Sequence, residues 1–239
     1  MKIISVVGTK DTGKTTLVVK IVRELVNRRF KVGTVKHVHG NLDLEGRDTW
    51  KHKEAGAELI IGSADETFLT LNERLELYEI INMIECVKKL DFLVVEGFKY
   101  SNYAKISVSD FNDEFTIKQV NAFEIEGDGL KSLVDLIEER SYSKLPELNC
   151  KECGFERCKD FAKAVAKGEI AEKTCAMKKE KSIELKIDGA AVPMNHFVQT
   201  VVRNTTIGML SSLKGDELKD FEAKTIEVKI KGGTIEKTY

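Results

Sequence analysis

One run of eight residues carries the clearest chemical signal in the chain: Gly8-Thr9-Lys10-Asp11-Thr12-Gly13-Lys14-Thr15, with Thr16 directly after it. Glycines at both ends of such a run let successive backbone N–H groups turn inward onto phosphate oxygens. Lys14 then reaches the β- and γ-phosphates and stabilises charge developing there, while the Thr15 hydroxyl serves Mg²⁺. The chemistry is the holding, and slow hydrolysis, of a nucleoside triphosphate. A carboxylate at the end of a neighbouring strand must complete the metal site. Glu96 closes the apolar run Phe92–Val95 and is followed by Gly97, which lets a nucleotide approach the backbone. The alternative carboxylate, Asp91, sits at the opposite end of the same run, away from the phosphates if the strand is parallel. Glu96 is therefore the expected metal partner. The base is not legible: the guanine-reading pattern Asn/Thr-Lys-x-Asp is absent, and Thr116-Ile117-Lys118-Gln119 has the wrong spacing and lacks the acid.

Four of the five cysteines fall close together, as Cys150, Cys153, Cys158 and Cys175. Four thiolates in a reducing compartment read as a metal site before they read as disulfides. Structural zinc sites usually present two paired C-x₂-C knuckles. Here the second pair is missing, and the three-plus-one spacing suits a 4Fe-4S cluster better than Zn²⁺, which stays open as the alternative. Nine Lys/Arg against six Asp/Glu in residues 151–181 give a basic excess that a cluster carrying −2 would largely offset. Cys86, inside an amphipathic stretch, reads as a small buried core residue.

The elements that must position these groups follow from hydrophobic period. Residues 2–7 form a β-branched strand, and residues 14–29 place Leu17, Ile21, Val22, Leu25 and Val26 on one helical face. Further strands are expected at 31–36, 58–62, 67–71, 92–95, 106–108 and 120–123, with helices over about 75–87 and 130–139. Residues 37–54 show no period. Strands alternating with helices imply an α/β fold of the P-loop NTPase type, a mainly parallel sheet flanked by helices, over residues 1–142. Residues 143–181 form a linker, with Pro146, and a four-cysteine piece. Residues 182–239 form a small α+β module: a hairpin turning at Asp188-Gly189, a helix over 194–213 and a last strand through Ile226, Val228 and Ile230. The chain has 239 residues, 42% hydrophobic and 32% charged, with a formal net charge of −1. That balance points to a packed, cytoplasmic protein, with no nucleic-acid partner and no membrane association.

Three further clusters resemble a known family when read with the phosphate loop. They are Val35-Lys36-His37-Val38-His39, the stretch Gly46–Ala57 and Val94-Val95-Glu96-Gly97-Phe98-Lys99. Over about residues 1–110 the chain resembles the molybdopterin-guanine dinucleotide biosynthesis protein B (MobB) family. That resemblance implies a GTP-binding fold, typically homodimeric, with weak GTP hydrolysis and a helper role. The partners implied are the molybdenum cofactor guanylyltransferase, molybdopterin-binding proteins and target molybdenum or tungsten apoenzymes. It further implies that Lys10, Asp11, Thr12, Gly13, Lys14, Thr15 and Thr16 hold the phosphates and Mg²⁺, with Glu96 as the acidic metal partner. Lys36, His37, His39, Asp48 and His52 would lie in loops around the same site. One departure is Tyr103-Ala104-Lys105-Ile106, where the family usually has proline before the lysine. Separately, Cys153–Ala162 with Ala166–Glu169 and Cys175 resembles the small 4Fe-4S domain of corrinoid and carbon monoxide dehydrogenase-associated proteins. That resemblance includes all four cysteine positions.

Other classes of function compete with this one. A metallochaperone-type GTPase would use the histidines and cysteines to deliver a metal. A redox-sensing module would use the nucleotide fold as a switch. A small-molecule kinase is open to any P-loop domain, but nothing here resembles an acceptor site.

Overall fold

Residues 1–38, 40, 46–175, 183, 185–187 and 190–211 are described by a computed structural model. The chain divides into two compact units, Met1–Cys175 and Ala176–Tyr239. The first is built on a five-stranded sheet in which every pairing is parallel: β2 (Val32–Lys36), β5 (Phe92–Glu96), β1 (Lys2–Val7), β6 (Ala104–Ser107) and β7 (Thr116–Gln119), in that spatial order. All five residues of β5 are buried, as a strand covered on both faces requires.

Alternation along the strands divides the core in two. On one face Ile3, Leu93 and Val95 pack with Leu77 and Ile81 of α3 (Leu77–Val87). The other face is covered by α1 (Lys14–Asn27) and α4 (Gly127–Arg140), which contact each other and bury Leu17, Ile21, Leu25, Leu133, Val134 and Ile137. Arg28, just past α1, ties the two helices through Glu24, Asp135 and Glu138. A separate antiparallel hairpin, β3 (Leu59–Ser63) with β4 (Thr67–Leu71), stands outside the main sheet.

The cysteine-bearing segment packs within this first unit. Its helix α5 (Cys158–Lys167) contacts α4 and β7 and buries Phe161, Ala162, Ala164, Val165 and Ala166. A single 3-10 turn, Glu172–Thr174, leads to the buried Cys175.

Three expectations change. Residues 120–123 are a turn, and the last strand of the sheet comes four residues earlier. The chain leaves the sheet at Asn121, whose Oδ1 accepts the Phe123 N–H at 3.1 Å. Within residues 37–54 a short helix forms, α2 (Asp48–Glu54); it buries no residue, so it has no apolar period to read. Cys86 is exposed rather than buried: α3 turns Leu77, Ile81 and Ile84 inward, and Cys86 falls outside that stripe.

In the second unit β8 (Leu185–Ile187) pairs antiparallel with β9 (Ala190–Val192), and α6 spans His196–Ser211. Asn195 caps α6, its Oδ1 accepting the Val198 N–H at 2.8 Å. The turn at Asp188-Gly189 and the strand expected at 226–230 lie outside the described residues, as does His39. Among the described residues no helix is long and apolar enough to cross a membrane.

Candidate phosphate and metal site

Sheet order assembles the site. β1, β5 and β2 are adjacent and parallel, with Val6 level with Glu96 and Glu96 level with Lys36. Their carboxyl ends therefore meet in one place, where open parallel sheets hold ligands. The phosphate loop leaves β1 there and enters α1. Gly13 is the turning residue, with φ of +84°, and a Cβ on it would come within 2.7 Å of the Ala122 Cβ. Thr12 Oγ1 donates to the Thr9 carbonyl at 2.9 Å, and the Lys14 ammonium donates to the same carbonyl, so the loop closes on itself.

Across from it, the Thr15 hydroxyl meets both Glu96 carboxylate oxygens, at 2.9 and 3.0 Å. The Lys36 ammonium lies 3.1 Å from Thr15 Oγ1 and 3.1 Å from Glu96 Oε1. Glu96 is 7% exposed, so its charge is sunk in the protein and compensated by these two groups. A hydroxyl and a carboxylate side by side are the hard oxygen donors that Mg²⁺ takes, so Thr15 and Glu96 are the residues that would hold it. Asp91 sits at the other end of β5 and accepts the Lys31 N–H at 2.7 Å, so of the two carboxylates Glu96 is the one at the phosphate end.

His37 follows β2 at the rim of the site. Its ring stacks on Phe98 with centroids 4.6 Å apart, and Nε2 meets the Arg74 guanidinium. Gly97, with φ of +96°, makes this possible, since a Cβ there would lie 2.9 Å from the His37 Cβ. Asp48 and His52 are carried on α2, and neither lines the cleft described next; Asp48 pairs with Lys51 at 3.0 Å.

A cleft of about 1310 Å³ opens from the loop. It is lined by Gly8, Lys10 and Lys14, then His37, Arg74, Gly97 and Phe98, then Tyr78, Tyr103 and Tyr142, and finally Asn149 and Arg157–Lys159. Burial drives the Tyr103 phenol up to about 12, with Glu147 and Glu85 adding to it. Arg74, Tyr78 and Tyr142 escaped sequence reasoning because they lie outside any motif, and Tyr103 was read only as a departure from the family pattern; the fold brings all four to the cleft that opens from the loop.

The cysteines are thiols, with Cys150, Cys153 and Cys158 half-buried and Cys175 buried. Donor type and number suit a thiophilic cluster. Among the described residues, however, no three His, Cys, Asp or Glu side chains gather as a metal-holding group. The sulfurs are thus supported by chemistry and not by convergence.

A parallel α/β sheet, a glycine-bounded loop entering a helix, and an acid at the end of the neighbouring strand define a P-loop nucleotide-binding protein. A family model described as "MobB: Molybdopterin guanine dinucleotide synthesis protein B" matches residues 3–123, and one described as "Putative Fe-S cluster" matches residues 145–177. A protein of Methanocaldococcus jannaschii named "Putative molybdopterin-guanine dinucleotide biosynthesis adapter protein" is 30% identical over 96% of this chain and 97% of its own length. The molybdopterin-guanine dinucleotide biosynthesis adapter protein of Haemophilus influenzae is 33% identical over 44% of this chain and 61% of its own. Among solved structures, Bacillus subtilis MobB is 24% identical, with a TM-score of 0.45 over 60% of this chain and 100% of that one. The MobB homologue of Bacillus stearothermophilus is 29% identical, with a TM-score of 0.36 over 47% and 65%. The chain belongs to the MobB family and carries, C-terminal to that domain, an iron–sulfur-type segment.

Proposed function

We propose that this chain binds GTP with Mg²⁺ and acts as an adapter in molybdopterin-guanine dinucleotide biosynthesis, assisting GMP attachment to molybdopterin. The observation that carries the reading is the Thr15–Glu96–Lys36 group at the meeting of three parallel strands. In this reading the loop from Gly8 to Thr16 cradles the phosphates, and Lys14 places its charge on the β/γ oxygens. Mg²⁺, when bound, neutralises developing phosphate charge, with Thr15 and Glu96 as its protein partners. Lys10, Lys36 and His37 surround the same phosphates. Asp48, carried on α2, is assigned to the same site from the family resemblance. Hydrolysis is slow in this reading, because an arginine finger would have to come from a partner.

The 4Fe-4S assignment to Cys150, Cys153, Cys158 and Cys175 rests on their spacing and on the iron–sulfur family match, with Zn²⁺ as the alternative occupant. A nucleotide domain (1–142), a cysteine domain (143–181) and a terminal module (182–239) are the proposed functional divisions. A homodimer is supported by the β3–β4 hairpin, which exposes Leu59, Ile61, Phe68 and Leu69. A lone two-stranded hairpin is marginal in water and gains from a partner. The proposed compartment is the cytoplasm, where clustered thiols stay reduced. The proposed partners are the guanylyltransferase and the proteins that carry molybdopterin or receive the cofactor.

The test is reconstitution of GMP transfer to molybdopterin with the guanylyltransferase, with and without this chain. Greater yield of dinucleotide-loaded apoenzyme is expected from the intact chain and not from Lys14→Ala. Identical yields with and without the intact chain would refute the reading.

A further inference from the structure

The cleft that begins at the phosphate loop does not end within the nucleotide fold. One continuous space runs from Lys10 and Lys14 to Arg157, Cys158 and Lys159 on the first turn of α5. Its volume of about 1310 Å³ exceeds the roughly 300–1,000 Å³ usual for a site holding one small molecule. Room therefore remains beyond a nucleotide's phosphates, and the far side of that room is made by the cysteine segment.

That far wall is tied to the strand that carries the phosphate loop. Just after α4, Tyr142 bridges to β1, its carbonyl accepting the Ile3 N–H at 3.0 Å, and its hydroxyl donates to the Asn102 carbonyl. The chain continues along the cleft to Asn149, whose Oδ1 accepts the Cys158 N–H at 2.8 Å. The helix behind Cys158 is pinned by buried Phe161 and by Lys163 and Lys159, which reach Glu114 at 2.7 and 3.3 Å. The two cations on this wall are spent locally, Lys159 on Glu114 and Arg157 on Asp160 at 2.9 and 3.0 Å. The wall thus offers the cleft a thiol rather than a second phosphate clamp.

We propose that the cysteine segment completes the phosphate cleft, so that the terminal phosphate of a bound nucleotide and Cys158 face the same open cleft. The inference rests on the nucleotide-binding reading above.

A proximity label tests it on the full-length chain, with the cysteines stripped of metal and reduced. The probe is a GTP analogue carrying a chloroacetamide on its γ-phosphate through a short linker. The Cys158 sulfur displaces chloride: the C–S bond forms as the C–Cl bond breaks, and the thiol proton passes to solvent. Peptide mass spectrometry is expected to find Cys158 modified at least about tenfold faster than the exposed Cys86. Excess GTP and Lys14→Ala should each suppress that adduct, and Cys158→Ser should lose it. Reversible, GTP-displaceable binding of the analogue with Cys158 modified no faster than Cys86 would overturn the shared cleft while leaving nucleotide binding intact. Failure of both the analogue and GTP to bind would overturn the nucleotide reading itself, and the inference with it.

Discussion

Substituting Glu96→Gln separates the proposed metal-binding role of this residue from its structural one. The amide keeps the volume of the side chain and one acceptor oxygen, so the Thr15 hydroxyl retains a partner at about its present 2.9 Å. What disappears is a nearly buried negative charge. Its loss relieves a desolvation cost and strands no buried cation, because the Lys36 side chain is 52% exposed. Stability should therefore change by less than about 1 kcal/mol. Metal-dependent binding should suffer much more. A hydrogen bond or contact to a charged group is worth about 1.5–3 kcal/mol, so a loss near 2 kcal/mol corresponds to roughly 30-fold weaker Mg²⁺-dependent nucleotide affinity. Calorimetric titration with a non-hydrolysable GTP analogue, across a Mg²⁺ series, reads both the affinity and its metal dependence; a urea melt reads the stability. An unchanged Mg²⁺ dependence in Glu96→Gln would refute the assignment. A loss of several kcal/mol in stability would show instead that the carboxylate is a structural anchor.

Three other outcomes are expected. Gly13→Ala forces a Cβ to within 2.7 Å of Ala122 at a φ of +84°, which should cost about 1–3 kcal/mol in a urea melt and weaken nucleotide binding. Phe161→Ala removes a side chain that is 1% exposed beneath the cysteine helix, and should lower stability by about 3–5 kcal/mol, read by denaturant titration. The phenol of Tyr103 is raised from 10 to about 12, so the folded state holds its proton where the unfolded state has lost it. The resulting stability is fully present below pH 10 and falls away as pH rises to about 12, by up to about 2–3 kcal/mol. Tyr103→Phe should flatten that alkaline decline in melts taken across the range.

The phosphate loop was legible because its chemistry is local: eight consecutive residues carry it, and the flanking apolar periods announce the strand and the helix. Glu96 was legible for a different reason. An uninterrupted apolar run ending in acid and glycine implies a buried parallel strand, and direction alone then separates Glu96 from Asp91. Where the signal depends on burial that the sequence does not encode, reading failed. β7 is a half-buried edge strand of Thr116, Ile117, Lys118 and Gln119, so it lacked the apolar run that was sought four residues later. Helix α2 buries nothing, and Cys86 lies off the stripe of a helix whose other apolar residues made it look internal. The docking of α5 uses Ala162, Ala164 and Ala166 beside Phe161 and Val165, and the small alanine side chains give little periodic contrast. Arg74, Tyr103 and Tyr142 come from three separate stretches and line one cleft with the loop only through the fold.

The most direct measurement of the central claim is a competition titration of GTP against ATP on the intact chain, with Mg²⁺ present, beside the same titration on Lys14→Ala. GTP should bind and displace a fluorescent guanine nucleotide far better than ATP does, and Lys14→Ala should bind neither. Equal affinity for the two nucleotides, or undiminished binding without Lys14, would contradict it.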